Sequence, residues 1–157
     1  MNIIFENPQK SFTVRDLSQQ LKIPKSTMAR YLDSLKDDTI IDNKNKLIEN
    51  EYTKFLKSAH YIKKLFTSGL ILHLQSTLVP SAIILFGSMR KGEFEKNSDI
   101  DLFVETTKKP DIDVSAYEKK LHHKVHLFID SDINNLPKEL YNNIMNGIKL
   151  TGYIKVK

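Results

Sequence analysis

The chain has 157 residues, 40% hydrophobic and 27% charged, with a formal net charge of +5 and no cysteine or tryptophan. Without cysteine there is no disulfide framework, thiol nucleophile or thiolate metal site, and a reducing cytoplasm becomes the expected location. The length suits one domain or two small ones, and the supply of Ile, Leu and Phe argues for a folded core rather than a disordered chain.

Met1 to Phe5 is too short for the apolar core of a signal peptide and lacks a basic flank. Thr13 to Leu21 places Val14, Leu17 and Leu21 on one helical face, and Lys22-Ile23-Pro24 forces a turn because proline cannot continue the preceding helix. A second helix starts there, with Pro24 in its first turn and Met28, Tyr31, Leu32 and Leu35 as one apolar stripe. Thr39 to Asp42 and Lys46 to Glu49 read as two short strands joined by Asn43-Lys44-Asn45, whose asparagines tolerate turn geometry.

The stretch TVRDLSQQLKIPKSTMARYLDSL followed by TIIDNKNKLIEN resembles the winged helix-turn-helix family, with the second helix as recognition helix and the second stretch as wing. The resemblance implies DNA binding, with Lys25, Ser26, Thr27 and Arg30 approaching base edges or phosphates and Lys44 and Lys46 on the wing. The face opposite the apolar stripe carries Ser26, Arg30, Asp33 and Asp37, and two carboxylates there meet phosphate unfavourably. Dimerisation or partner docking through this module therefore stays open beside DNA binding.

Glu51 to Thr67 sets Tyr52, Phe55, Leu56, Ala59, Ile62 and Phe66 at helical spacing, with Lys54, Lys57, Lys63 and Lys64 mostly on a solvated side. This connecting helix, about 51–68, bridges an expected N-terminal domain at 1–57 and a second at 58–157, both basic. Gly69 interrupts it, and Leu70 to Leu78 resumes as a short helix ending before Pro80. The stretch from Gly69 to Met89 has the length of a membrane span, but His73, Gln75, Ser76, Thr77 and Pro80 interrupt it, so no membrane partner is expected.

Ser81 to Phe86 is a continuous apolar run, the pattern of a strand buried on both faces. Gly87-Ser88 follows at once, where glycine admits close backbone approach and a serine at a helix start lies beside unpaired N–H groups. Met89-Arg90-Lys91-Gly92 adds two cations and a turn, completing a candidate polyphosphate cradle. Further on, Asp99-Ile100-Asp101-Leu102-Phe103-Val104 alternates strictly, so Asp99 and Asp101 share a strand face. Paired carboxylates repel unless a cation relieves them, and Mg²⁺ favours one or two carboxylates together with phosphate oxygens.

The stretch ILFGSMRKGEFEKNSDIDLFVE resembles the nucleotidyltransferase signature of the DNA polymerase beta superfamily, particularly its minimal nucleotidyltransferases. From about Leu70 onward the resemblance implies an α+β fold with a mixed sheet flanked by helices. Helices are expected around Val114 to Leu121 and over Asn135 to Asn146, a third strand over Lys124 to Ile129, and a final strand around Tyr153 to Val156. Carried over, Gly87 and Ser88 hold a nucleoside triphosphate, ATP being the leading choice, and Arg90 or Lys91 neutralises phosphate. Asp99 and Asp101 bind Mg²⁺ or Mn²⁺ and serve catalysis.

In that family a third carboxylate lies on the neighbouring strand, whereas this chain reads Val125-His126-Leu127. Imidazole is a poor substitute as a Mg²⁺ ligand, although His126 could still act as a base. Asp130 shares its strand parity but lies roughly 13 Å further along an ideal strand, and His122 and His123 read as exposed residues at the strand entrance. Two readings stay open: transfer of NMP to an acceptor, such as a protein of the HEPN toxin type, or a DNA-binding regulator that senses nucleotide without catalysis. A homodimer is compatible with either.

Overall fold

The computed structural model describes residues 1–108 and 111–155. The chain forms two compact units, Met1–Lys54 and Phe55–Lys157.

In the first unit, α1 (Asn2–Glu6) precedes α2 (Val14–Leu21) and α3 (Lys25–Asp37). The Thr13 side chain caps α2 by accepting the Asp16 N–H at 3.1 Å, and Lys22 in the left-handed region closes it. Ser18 Oγ donates to the Ile23 carbonyl at 2.6 Å, fixing the turn before Pro24 starts α3. Ile4, Phe5, Phe12, Leu17, Met28, Leu32, Ile40, Ile41 and Leu47 are the buried apolar residues of this unit. Tyr31, expected in the inward stripe, is exposed. The two expected strands reduce to a single antiparallel bridge, Ile41 to Leu47. Asp42 takes over the turn instead: its Oδ1 accepts the N–H groups of Lys44 at 2.8 Å and Lys46 at 2.9 Å. The Lys46 bond leads in holding the Asp42 carboxyl below its ordinary pKa.

The second unit contains most of α4 (Glu51–Ser68), followed by α5 (Leu70–Leu78), β1 (Ala82–Phe86), α6 (Gly87–Lys91) and β2 (Ile100–Glu105). Next come α7 (Ser115–Leu121), β3 (Val125–Asp130), a 3-10 turn (Ile133–Asn135), α8 (Lys138–Met145) and β4 (Ile148–Gly152). The four strands form one mixed sheet in the order β3-β2-β1-β4. The β1–β2 and β1–β4 pairs are antiparallel and β2–β3 is parallel. As its unbroken apolar run requires, every residue of β1 is buried. One sheet face carries Ile84, Phe86 and Phe103, which join Ile133 and Ile144 in a core against which Phe128, Leu140 and Tyr141 pack. Ile83, Leu85, Leu102 and Val104 alternate to the other face and are buried there.

Helix α4 reverses the expected orientation. Tyr52, Phe55 and Phe66 are exposed, while Lys57 is buried on the same side as Tyr61 and Leu65. Lys57 is accommodated because Nζ donates to the Phe94 carbonyl at 2.8 Å and lies 4.7 Å from the Phe94 ring centre. Among the described residues no helix is long and apolar enough to cross a membrane.

The final strand starts directly after Gly147 and ends at Gly152, earlier than the expected Tyr153 to Val156, whose last residue lies outside the described ones. Helix α8 is likewise shorter than expected, because Pro137 sets its start and the 3-10 turn occupies the residues before it. Gly152 has φ +75° and a Cβ there would lie 1.8 Å from the Ser81 carbonyl oxygen, which also accepts the Tyr153 N–H at 2.9 Å. Gly152→Ala should therefore cost about 1–3 kcal/mol or more, seen as a lower urea midpoint at an unchanged m-value. An unchanged midpoint would show that this close approach does not constrain the sheet.

Candidate functional site

The sheet topology gathers three polar side chains at one corner. Phe86 pairs with Asp101 across the antiparallel β1–β2 ladder, and Asp101 pairs with His126 across the parallel β2–β3 ladder. Directly opposed residues share a face, so Asp101 and His126 lie beside Phe86 on the face that continues into Phe103 and Phe128. The Phe86 and Phe128 rings meet edge to face at 5.3 Å. Asp101 thus marks the rim where an apolar core gives way to solvent.

Asp99 immediately precedes β2 and has the parity of Asp101. His126 lies between the two carboxylates, with Nδ1 3.5 Å from Asp101 Oδ1 and Nε2 3.8 Å from Asp99 Oδ2. Burial raises the Asp101 pKa above its ordinary 3.8; His126 pulls it back, and the like charge of Asp99 raises it further.

Gly87 supplies the space beneath Asp101. It has φ +70°, and a Cβ there would fall 2.2 Å from Asp101 Oδ2. A side chain at this position would displace the carboxylate. Helix α6 starts at Gly87 without a side-chain cap, so its first-turn N–H groups have no partner within the helix. Ser88 in that turn is half-buried, Arg90 in the last turn is half-buried, and Lys91 is exposed.

Gly87, Asp99, Asp101 and His126 are therefore brought together, with Ser88, Arg90 and Lys91 following from Gly87 along α6. Asp130 pairs with Glu105 at the far end of the same strands, as its position in the sequence implied. His122 is exposed as expected, but His123 is buried, with Nδ1 against the Ser98 carbonyl. In the first unit Lys25, Ser26 and Arg30 are exposed and Thr27 half-buried along the first half of α3, while Lys44 is exposed and Lys46 half-buried in the Asp42 turn.

The donor chemistry fits a hard divalent cation in part. Asp99 and Asp101 could hold one and be relieved of their mutual repulsion. Among the described residues, however, no group of three or more His, Asp or Glu has the arrangement of a metal site. The fit is to a cation completed by oxygens from a bound ligand rather than by the protein alone. Such an ion would supply polarisation of phosphate oxygens.

The sequence model described as Nucleotidyltransferase domain matches residues 70–155, more than half of the chain. The chain belongs to this family. The matched segment runs from α5 through all four strands and so includes the whole corner. No curated protein matches the chain. A nucleotidyltransferase domain implies a nucleoside triphosphate substrate and NMP transfer as its generic activity, and such domains generally use a divalent metal.

A raised Asp101 pKa makes the ionised carboxylate a cost to folding, absent below its ordinary value of 3.8 and fully present above the folded pKa. Asp101→Asn should accordingly raise Tm at pH 7, by no more than about 2–4 °C for a partly solvated group. The gain should disappear as pH falls through the carboxylate range. A gain independent of pH would contradict this account of Asp101.

Proposed function

We propose that this nucleotidyltransferase moves NMP from a nucleoside triphosphate, ATP in the first instance, to an acceptor hydroxyl or phosphate with Mg²⁺ or Mn²⁺. Asp99 and Asp101 hold the cation, Gly87 and Ser88 lie against the triphosphate, and Arg90 and Lys91 offset its charge. The observation that carries the reading is the Asp101 carboxylate seated over the missing Cβ of Gly87, beside a second carboxylate. That juxtaposition joins the phosphate-binding turn to the cation site. His126 serves as the base where a third carboxylate would otherwise stand. The acceptor is a protein, such as a HEPN-type toxin, a small molecule or a nucleic acid.

A second reading, nucleotide sensing without transfer, is favoured by the same histidine. An imidazole between two aspartates adds no negative charge to hold a second cation, and two-metal displacement needs one. The first unit, with its helix, turn, helix and bridged turn, is read as a winged helix that docks on DNA through Lys25, Ser26, Thr27, Arg30, Lys44 and Lys46. The exposed Asp33 and Asp37 on α3 meet phosphate unfavourably, so the DNA complex should be weak, and a protein partner, a second copy included, is the alternative occupant.

Incubation with α-labelled nucleoside triphosphates, Mg²⁺ or Mn²⁺ and extract from the source cells should label an acceptor, faster with Mn²⁺, which accepts imidazole more readily. His126→Asp should raise the Mg²⁺-dependent rate, because a carboxylate adds a hard oxygen ligand and a negative charge. If wild type is fast with Mg²⁺ and His126→Asp abolishes transfer, His126 is a specific catalytic group instead of a weak replacement. If both proteins bind triphosphate and neither labels any acceptor, the sensing reading stands. For the first unit, a low-salt gel shift should show a DNA complex that weakens with salt and with Arg30→Ala; no complex at micromolar protein would leave the protein-docking reading.

A further inference from the structure

We propose that His123 is a positioning residue for Asp99, acting through the backbone carbonyl of Ser98. The proposal rests on the reading of Asp99 as a cation ligand. Asp99 is not inside β2 but just before it, at the end of the segment that returns from α6, so strand pairing alone does not fix it. Two bonds from one short segment hold it on both sides. The Ile100 N–H donates to the Lys124 carbonyl at 2.8 Å, and His123 Nδ1 meets the Ser98 carbonyl. The first is made by backbone and survives substitution. The second depends on one side chain.

A carbonyl oxygen only accepts, so the bond requires hydrogen on His123 Nδ1. The group it grips is itself well defined. Ser98 and Glu95 close a tight turn, the Ser98 N–H donating to the Glu95 carbonyl at 3.0 Å and Ser98 Oγ accepting the Glu95 N–H at 2.9 Å. Pulling on the Ser98 carbonyl therefore moves a closed unit rather than a loose loop.

The imidazole is equally constrained. His123 is 6% exposed, and its ring meets the Tyr61 ring edge to face at 5.1 Å. Tyr61 in turn packs against Phe94 at 4.6 Å and donates its hydroxyl hydrogen to the Leu121 carbonyl at 3.3 Å. Lys57 binds the Phe94 carbonyl from the same helix. Helix α4, the return segment and the approach to β3 thus lock the imidazole in the plane that reaches Ser98. Residues that orient a metal ligand from behind typically alter metal affinity about 10–100-fold when changed.

The test is Mn²⁺ binding by the full chain, followed by water-proton relaxation with and without a non-hydrolysable ATP analogue. His123→Leu should weaken Mn²⁺ binding about tenfold. His123→Asn, whose Nδ2 can stand in for Nδ1 as donor, should restore affinity to within about twofold although it loses the same ring packing. Equal losses in both variants, or none in His123→Leu, would overturn the proposal while leaving the cation site intact. Absence of Mn²⁺ binding by wild type in both conditions would remove the cation site and the proposal together. Should His123→Leu fail to fold, the ¹⁵N spectrum of the wild-type histidines decides: hydrogen on His123 Nδ1 supports the proposal, and a neutral ring protonated at Nε2 overturns it.

Discussion

Two carboxylates held on either side of one imidazole at the edge of an apolar sheet face are the constraint around which the second unit is organised. Asp101 is partly desolvated, faces the like charge of Asp99, and is pushed toward its neutral form by burial. What makes this arrangement geometrically feasible is the absence of a side chain at Gly87, where β1 turns into α6, and the buried β1 that fixes the height of that turn against β2. The cost falls on one corner, while Ile84, Phe103, Phe128 and Ile144 support it from below.

The parallel pairing of β2 with β3 determines what completes the corner. It places His126 opposite Asp101, within reach of both aspartates. An imidazole there tempers the repulsion of the pair but supplies neither the hardness nor the charge of a carboxylate. Family membership makes NMP transfer from a nucleoside triphosphate the generic chemistry of this unit, and in the proposed function His126 is what divides transfer from sensing. The site's geometry also depends on residues with no direct part in it, since the return segment that delivers Asp99 is held through Ser98, Phe94 and the rings behind them.

Most of this corner could be read from local pattern. The run from Ala82 to Phe86, Gly87-Ser88 and the alternation after Asp99 each have a physical signature confined to a few residues, and those positions fall as the pattern implies. Readings that depended on distant packing fared less well. The stripe of Tyr52, Phe55 and Phe66 on α4 suggested an inward face, yet Lys57 finds a carbonyl and an aromatic ring on the buried side, which no helical period encodes. His123 resembled a solvent-exposed strand entrance, because its partner, Ser98, is brought close only by the β2–β3 ladder. The turn around Lys44 is shaped by Asp42 accepting two backbone N–H groups, a local competitor that strand propensity ignores. The end of β4 is set by the contact of Gly152 with Ser81, far apart in the chain.

In the proposed function Asp101, seated over Gly87, and the neighbouring Asp99 hold a cation that a bound triphosphate completes. Crystals grown with Mn²⁺ and a non-hydrolysable ATP analogue, measured for manganese anomalous scattering, test it most directly. A manganese peak is expected within coordination distance of both Asp99 and Asp101, with triphosphate oxygens on its open side and the first turn of α6 against the phosphates. Analogue bound elsewhere on the chain, or bound at α6 with no manganese between the two aspartates, would contradict it.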